Sequence, residues 1–108
     1  MAQNFRRYIA RNVGTSAVIL HTANSYDTII GIALANTTSS EIKVDVYIND
    51  GSAEYYLIKN APIQNGGTLQ IIDGGAKYVI QSADVLKVVS DTASSCDVWV
   101  SAVDAISD

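Results

Sequence analysis

Ile42-Lys43-Val44-Asp45-Val46-Tyr47-Ile48-Asn49 decides the fold. Ile42, Val44, Val46 and Ile48 alternate with Lys43, Asp45, Tyr47 and Asn49. Successive residues of an extended strand point to opposite faces, so this period of two predicts a strand with one buried and one wet face. The turn Asn49-Asp50-Gly51-Ser52 follows, where Asp and Gly tolerate positive φ, and Tyr55–Lys59 is the return strand of a hairpin.

The same pattern extends outward in both directions. Towards the N-terminus, Thr28–Asn36 is apolar on both faces, with Ile30, Ile32 and Leu34 on one side and Ile29, Gly31 and Ala33 on the other. That suits a central strand covered on both sides. Asn24-Ser25-Tyr26-Asp27 reads as a loop, Ala17–Thr22 as a strand after the turn Gly14-Thr15-Ser16, and Phe5–Val13 as a first strand. Towards the C-terminus, Pro62 marks a bend. Turns at Asn65-Gly66-Gly67, Asp73-Gly74-Gly75, Ser82-Ala83-Asp84 and Ala93-Ser94-Ser95 lead into Thr68–Ile72, Lys77–Gln81, Val85–Ser90 and Cys96–Val103. About nine short strands at this spacing predict an all-β antiparallel sandwich, Ig-like or jelly-roll-like. No segment carries a helical stripe over three turns; Ala102–Ser107 is a candidate for a final half-turn. The phase of four strands assigns Ile30, Ile32, Leu34, Val44, Val46, Leu86, Val88, Val98 and Val100 to one core.

Length and charge narrow the function classes. The chain has 108 residues, which predicts one domain over 1–108, with 48% hydrophobic and 17% charged residues. Seven Lys+Arg against 11 Asp+Glu leave a net charge of −4. That balance argues against a nucleic-acid partner held by phosphate contacts. No apolar run is long enough for a transmembrane helix, and the first residues lack the apolar stretch of a leader, so no membrane partner is expected.

The residues that carry chemistry in other proteins have plain explanations here. His21 is the only histidine and has no ligand at metal spacing, so a solvated or interface role is expected. No serine lies in a Gly-x-Ser-x-Gly elbow. Cys96 is the only cysteine, in phase with Val98 and Val100, and reads as a small core hydrophobe. Asp27, Asp50, Asp73, Asp84 and Asp91 are spaced one per turn and not as calcium ligands. No catalytic, metal or cofactor-binding residue is assigned, and no cofactor and no enzymatic activity are expected.

The outward aromatics are harder to explain in an isolated domain. Trp99 alternates with Val98 and Val100 and so faces outward; Tyr47 is out of phase with the Ile42–Ile48 core set; and of Tyr55 and Tyr56 one must point away. Such rings cover cross-strand neighbours or form a protein–protein interface, where Trp and Tyr are enriched. A sugar platform would want companion polar residues that the sequence does not mark. Arg6, Arg7 and Arg11 are three of the seven cations within the first eleven residues. Two readings stay open for them: an edge strand blunted by charge, or an arm that docks on an acidic neighbour. Trp99, Tyr47, Tyr55, Arg6, Arg7 and Arg11 are thus the interface candidates.

The order of these segments resembles a known group. Ile32-Ala33-Leu34-Ala35-Asn36-Thr37-Thr38, then Ile42–Ile48, then the run from Tyr56 to Leu69 through Pro62-Ile63-Gln64-Asn65-Gly66, then Ser82-Ala83-Asp84-Val85-Leu86-Lys87-Val88 resembles small β-sandwich virion structural proteins of tailed bacteriophages, including those of cyanobacterial phages. The likeness covers roughly residues 28–103. Ser82-Ala83-Asp84 departs from it where a Gly-Asp turn is usual, and Gln64-Asn65-Gly66 where Pro/Ala-Gly is commoner. The resemblance implies a non-enzymatic virion component, such as a capsid decoration, neck or collar, or tail accessory protein. It implies copies of itself and other virion structural proteins as partners, and assembly in the host cytoplasm. A small binding module for a surface glycan or a peptide is the alternative.

Overall fold

A computed structural model describes residues 4–23, 27–71 and 78–104. Nine strands follow one another: β1 Asn4–Val13, β2 Val18–Thr22, β3 Asp27–Asn36, β4 Ile42–Asn49, β5 Glu54–Ile63, β6 Thr68–Gln70, β7 Tyr78–Ile80, β8 Val85–Ser90 and β9 Cys96–Asp104. The expected turns over 24–26 and 73–75 lie outside the described residues. Ala102 belongs to β9 and not to a helical half-turn, whose last residues also fall outside.

The strands pair as one long folded hairpin. β4 pairs with β5, β3 with β6 and β7, β2 with β8, and β1 with β9, all antiparallel. The tip is the β4–β5 turn. Asp50 N–H donates to Ala53 O at 3.1 Å, the Asp50 carboxylate accepts the N–H groups of Ser52 and Ala53, and Gly51 takes φ 102°. Those two N–H groups hold the Asp50 carboxyl below its usual range. Wound on itself, the ribbon closes through β3–β9 and β4–β8. The first sheet then runs β1-β9-β3-β6, with β7 beside β6 along β3, and the second runs β2-β8-β4-β5. With β6 and β7 taken as halves of one strand, this is the strand order of a jelly roll. The two antiparallel sheets pack face to face as a β-sandwich.

The core lies between the sheets. Leu34, Val44, Val46, Leu86, Val88 and Val100 are all fully buried in one cluster with Ile32 and Val98. Ile30 is the exception, at 39% exposure. The β3–β9 register shifts between Ile29 and Gly31, and this bulge turns the strand phase by one residue. Ile29 therefore takes the core position below the bulge, and Ile32 and Leu34 take it above. Pro62 also differs from expectation. It sits within β5, opposite Lys43, rather than in a bend. β5 is an edge strand, where a missing N–H breaks no second ladder.

Ala83 stands where the resemblance leads one to expect Gly, and it adopts φ 78°. A left-handed conformation costs an L-residue about 1–2 kcal/mol, and the freer unfolded chain of glycine offsets part of any gain. Ala83→Gly is expected to stabilise the domain by up to about 1 kcal/mol. A denaturation midpoint that stays level or falls would contradict the strain assigned to this turn.

Candidate functional site

The outer face of the first sheet carries the most unusual surface. On β9, Trp99 lies between Ile9 of β1 and Ala33 of β3. It faces outward as its alternation predicts and is 51% exposed. The outward residues of β3 here are Gly31, Ala33 and Ala35, all half-buried. Small residues on β3, beside the large Trp99 of β9 and with Ile9 one strand further out on β1, leave a hollow. The result is an open groove of about 520 Å³ along Ile9, Ala33, Ala35 and Trp99, with Arg11 and Asp97 at its rim. The expectation that β3 is covered on both sides is corrected: its outer face forms the floor of this groove.

Local irregularities shape the rim. β1 bulges between Ala10 and Val13, with Asn12 at φ 56°. Asn12 N–H donates to Asp97 Oδ1 at 3.0 Å, which pins the bulge to β9 and leaves Arg11 exposed. The Arg7 guanidinium stands 5.3 Å from the Trp99 ring centroid, a cation–π distance. Of the eight large hydrophobic residues exposed among the described residues, Phe5, Ile9, Ile30, Val79 and Trp99 come from this one sheet.

The remaining candidates do not gather on the same face. Arg7 pairs with Ser101 on the outer side, while Arg6 pairs with Ala102 on the side of the core, although it too is exposed. Adjacent strand residues alternate, so the arginine cluster is split by the sheet. Tyr47 does lie on the outer side of the second sheet, opposite Lys87 and Tyr56, but is only 6% exposed. The Tyr56 ring covers it, centroids 5.0 Å apart, and Lys59 caps Tyr56 at 4.3 Å. Burial, with the nearby Glu54 charge, pushes the Tyr47 hydroxyl pKa up. A contact role for Tyr47 therefore passes to Tyr56, which is 41% exposed. Tyr55 is exposed as well, at 57%.

The side-chain pair missed by sequence reasoning is His21 with Asp27. His21 Nε2 lies 2.7 Å from Asp27 Oδ2, and the Asp27 side chain is fully buried. The Tyr8 ring stacks on His21 at 4.0 Å and 14°. His21 comes from the second sheet, whereas Tyr8 and Asp27 come from the first, so the group clamps the two sheets together. Of the two expectations for His21, solvated or at an interface, the solvated one is corrected: the side chain is 11% exposed. Asp27, expected in a loop, opens β3. Cys96 is fully buried, and burial, with Asp97 beside it, pushes its thiol pKa up to about 11. Among the described residues no three His, Cys, Asp or Glu side chains come together as a metal site. Among them, too, no helix is long and apolar enough to cross a membrane.

What this geometry defines is a jelly-roll domain with an apolar, tryptophan-walled face. No family model matches the chain, and no curated protein matches it in sequence. Solved structures do match in fold. The acid-stable capsid structure of Helicobacter pylori bacteriophage KHP30 superposes with a TM-score of 0.63 at 13% identity, over 99% of this chain and 90% of that one. Two crystal structures of a pentameric capsid protein isolated from metagenomic phage sequences give TM-scores of 0.53 and 0.54 at 14% identity, over 94% of this chain. This chain spans 60% and 62% of those two chains.

Proposed function

We propose that this chain is a non-enzymatic structural protein of a bacteriophage particle that works through protein–protein contacts in a symmetric assembly. The observation that carries this reading is the groove beside Trp99, an apolar outer face that the described residues leave open on a small domain. Contiguous exposed apolar surface of this kind marks interaction sites. The fold supports the reading, since three solved phage capsid structures share it. A jelly roll alone would not decide, because lectins use it too. Capsid neighbours favour a head position, as a shell or decoration subunit, over the neck, collar or tail. Copies of itself and other virion proteins are the partners.

The glycan-binding alternative is weaker at this site. A sugar stacked on Trp99 must compete with the Arg7 guanidinium, and one of the two Asp97 oxygens already accepts the Asn12 N–H. Apart from Arg11, the remaining lining is Ile9, Val98 and three alanines, which suits side chains of another protein better than hydroxyls.

Incorporation into purified particles tests the proposal. Trp99→Ala is expected to keep the fold, because the ring is half exposed, and to weaken contact by about 1–4 kcal/mol per subunit pair, so that mutant copies are depleted from particles. Particles carrying a full complement of Trp99→Ala chains would overturn it.

A further inference from the structure

We infer that the Trp99 groove of one copy receives the β4–β5 hairpin of a second copy, so that the chain associates head to tail. This rests on the structural role proposed above and names the surfaces that would carry it.

Charge complementarity points to a second copy. Two arginines stand at the groove, Arg11 in its lining and Arg7 over Trp99, against one carboxylate, Asp97, one oxygen of which already accepts the Asn12 N–H. Apart from the three N-terminal arginines, the sequence holds four cations against 11 carboxylates, so its other surfaces are acidic. The β4–β5 hairpin concentrates the complement. Asp50 and Glu54 are exposed there, next to exposed Tyr55 and Tyr56. The Asp50 carboxylate accepts the Ser52 and Ala53 N–H groups, which ties the turn at the tip together. An acidic tip carrying tyrosines matches an apolar groove rimmed by arginine, and preorganisation lowers the entropy cost of contact.

One copy cannot satisfy itself. The groove spans β1, β9 and the outer face of β3, on the side of the sheet where Tyr8 stacks on His21 of β2. The hairpin ends on β5, the opposite edge of the second sheet. Two different surfaces on opposite edges make a heterologous interface, which closes into a ring when its rotation permits.

The test uses two complementary variants of the full chain. Arg7→Glu with Arg11→Glu damages the groove, and Glu54→Arg damages the hairpin. All three positions are exposed, so an unchanged thermal midpoint confirms that each variant is folded. Sedimentation velocity and native mass measure assembly, and Trp99 emission reports burial of the groove. The wild type is expected to form closed rings that weaken with salt, with Trp99 emission shifting to the blue on assembly. Each variant alone should bind itself at least about tenfold more weakly. An equal mixture pairs the sound hairpin with the sound groove and the reversed hairpin with the reversed groove, and should therefore assemble where neither variant does alone. The triple variant, with both charges exchanged, should recover the ring. A monomeric wild type at its highest soluble concentration, or a mixture that stays monomeric, overturns the inference. Particle incorporation is judged separately: a monomeric chain that still enters particles removes this interface and leaves the structural role in place.

Discussion

Val46→Asp is expected to leave the chain unfolded at room temperature. Val46 is fully buried, with Ile58 of β5 on one side and Val88 of β8 on the other. The substitution removes a buried aliphatic side chain worth about 1.5–3 kcal/mol. It also places a carboxylate in a dry cluster of valine, leucine and isoleucine, where an unpaired polar group costs several kcal/mol more even after it takes up a proton. A domain of this size has about 5–15 kcal/mol of total stability, so the two losses together reach the lower end of what it holds. Far-UV circular dichroism and the dispersion of amide resonances would show the loss directly. Lys43→Asp, at an exposed position of the same strand, should fold normally and serves as the control. A cooperative, dispersed Val46→Asp protein would mean that Val46 does not face the core.

Much of this was legible because β4 and β9 obey a strict period of two. Their phase placed Val44, Val46, Val98 and Val100 inside and Trp99 outside, and the structure agrees. Turn chemistry located the hairpin at Asn49–Ser52 for the same local reason. Legibility ends where one strand depends on another. A bulge is a property of a pair, so nothing within Thr28–Asn36 reveals that β3 slips against β9 and turns Ile30 outward. Cover is also a property of neighbours: Tyr47 has the phase of an exposed ring, yet Tyr56 from the next strand lies over it. The groove was half legible. Apolar residues on both faces of β3 predicted cover on both sides, and the uncovered outer face is what makes a partner the natural occupant.

His21→Ala is expected to cost about 1.5–3 kcal/mol, the range for losing a hydrogen bond to a charged group. From the sequence alone His21 could be dismissed, because no strand-phase rule links it to a carboxylate across a loop. In the structure it is the partner of Asp27, whose side chain has no exposure to water. Truncation removes the 2.7 Å contact to that carboxylate and the surface on which Tyr8 stacks. The damage falls on the clamp between the sheets and not on the groove. Denaturant titration of His21→Ala, and of the cycle His21→Phe, Asp27→Leu and the double variant His21→Phe with Asp27→Leu, separates the contributions. The double variant should be more stable than the sum of the single losses predicts, because an apolar pair of similar volume leaves no buried charge behind. A His21→Ala midpoint close to that of the wild type would show that the clamp contributes little. Temperature distinguishes this role from a contact role. At low temperature, where His21→Ala remains folded, its chains should enter particles as the wild type does, whereas Trp99→Ala should be depleted at every temperature. A stability residue fails when the fold fails, and an interface residue fails while the fold stands.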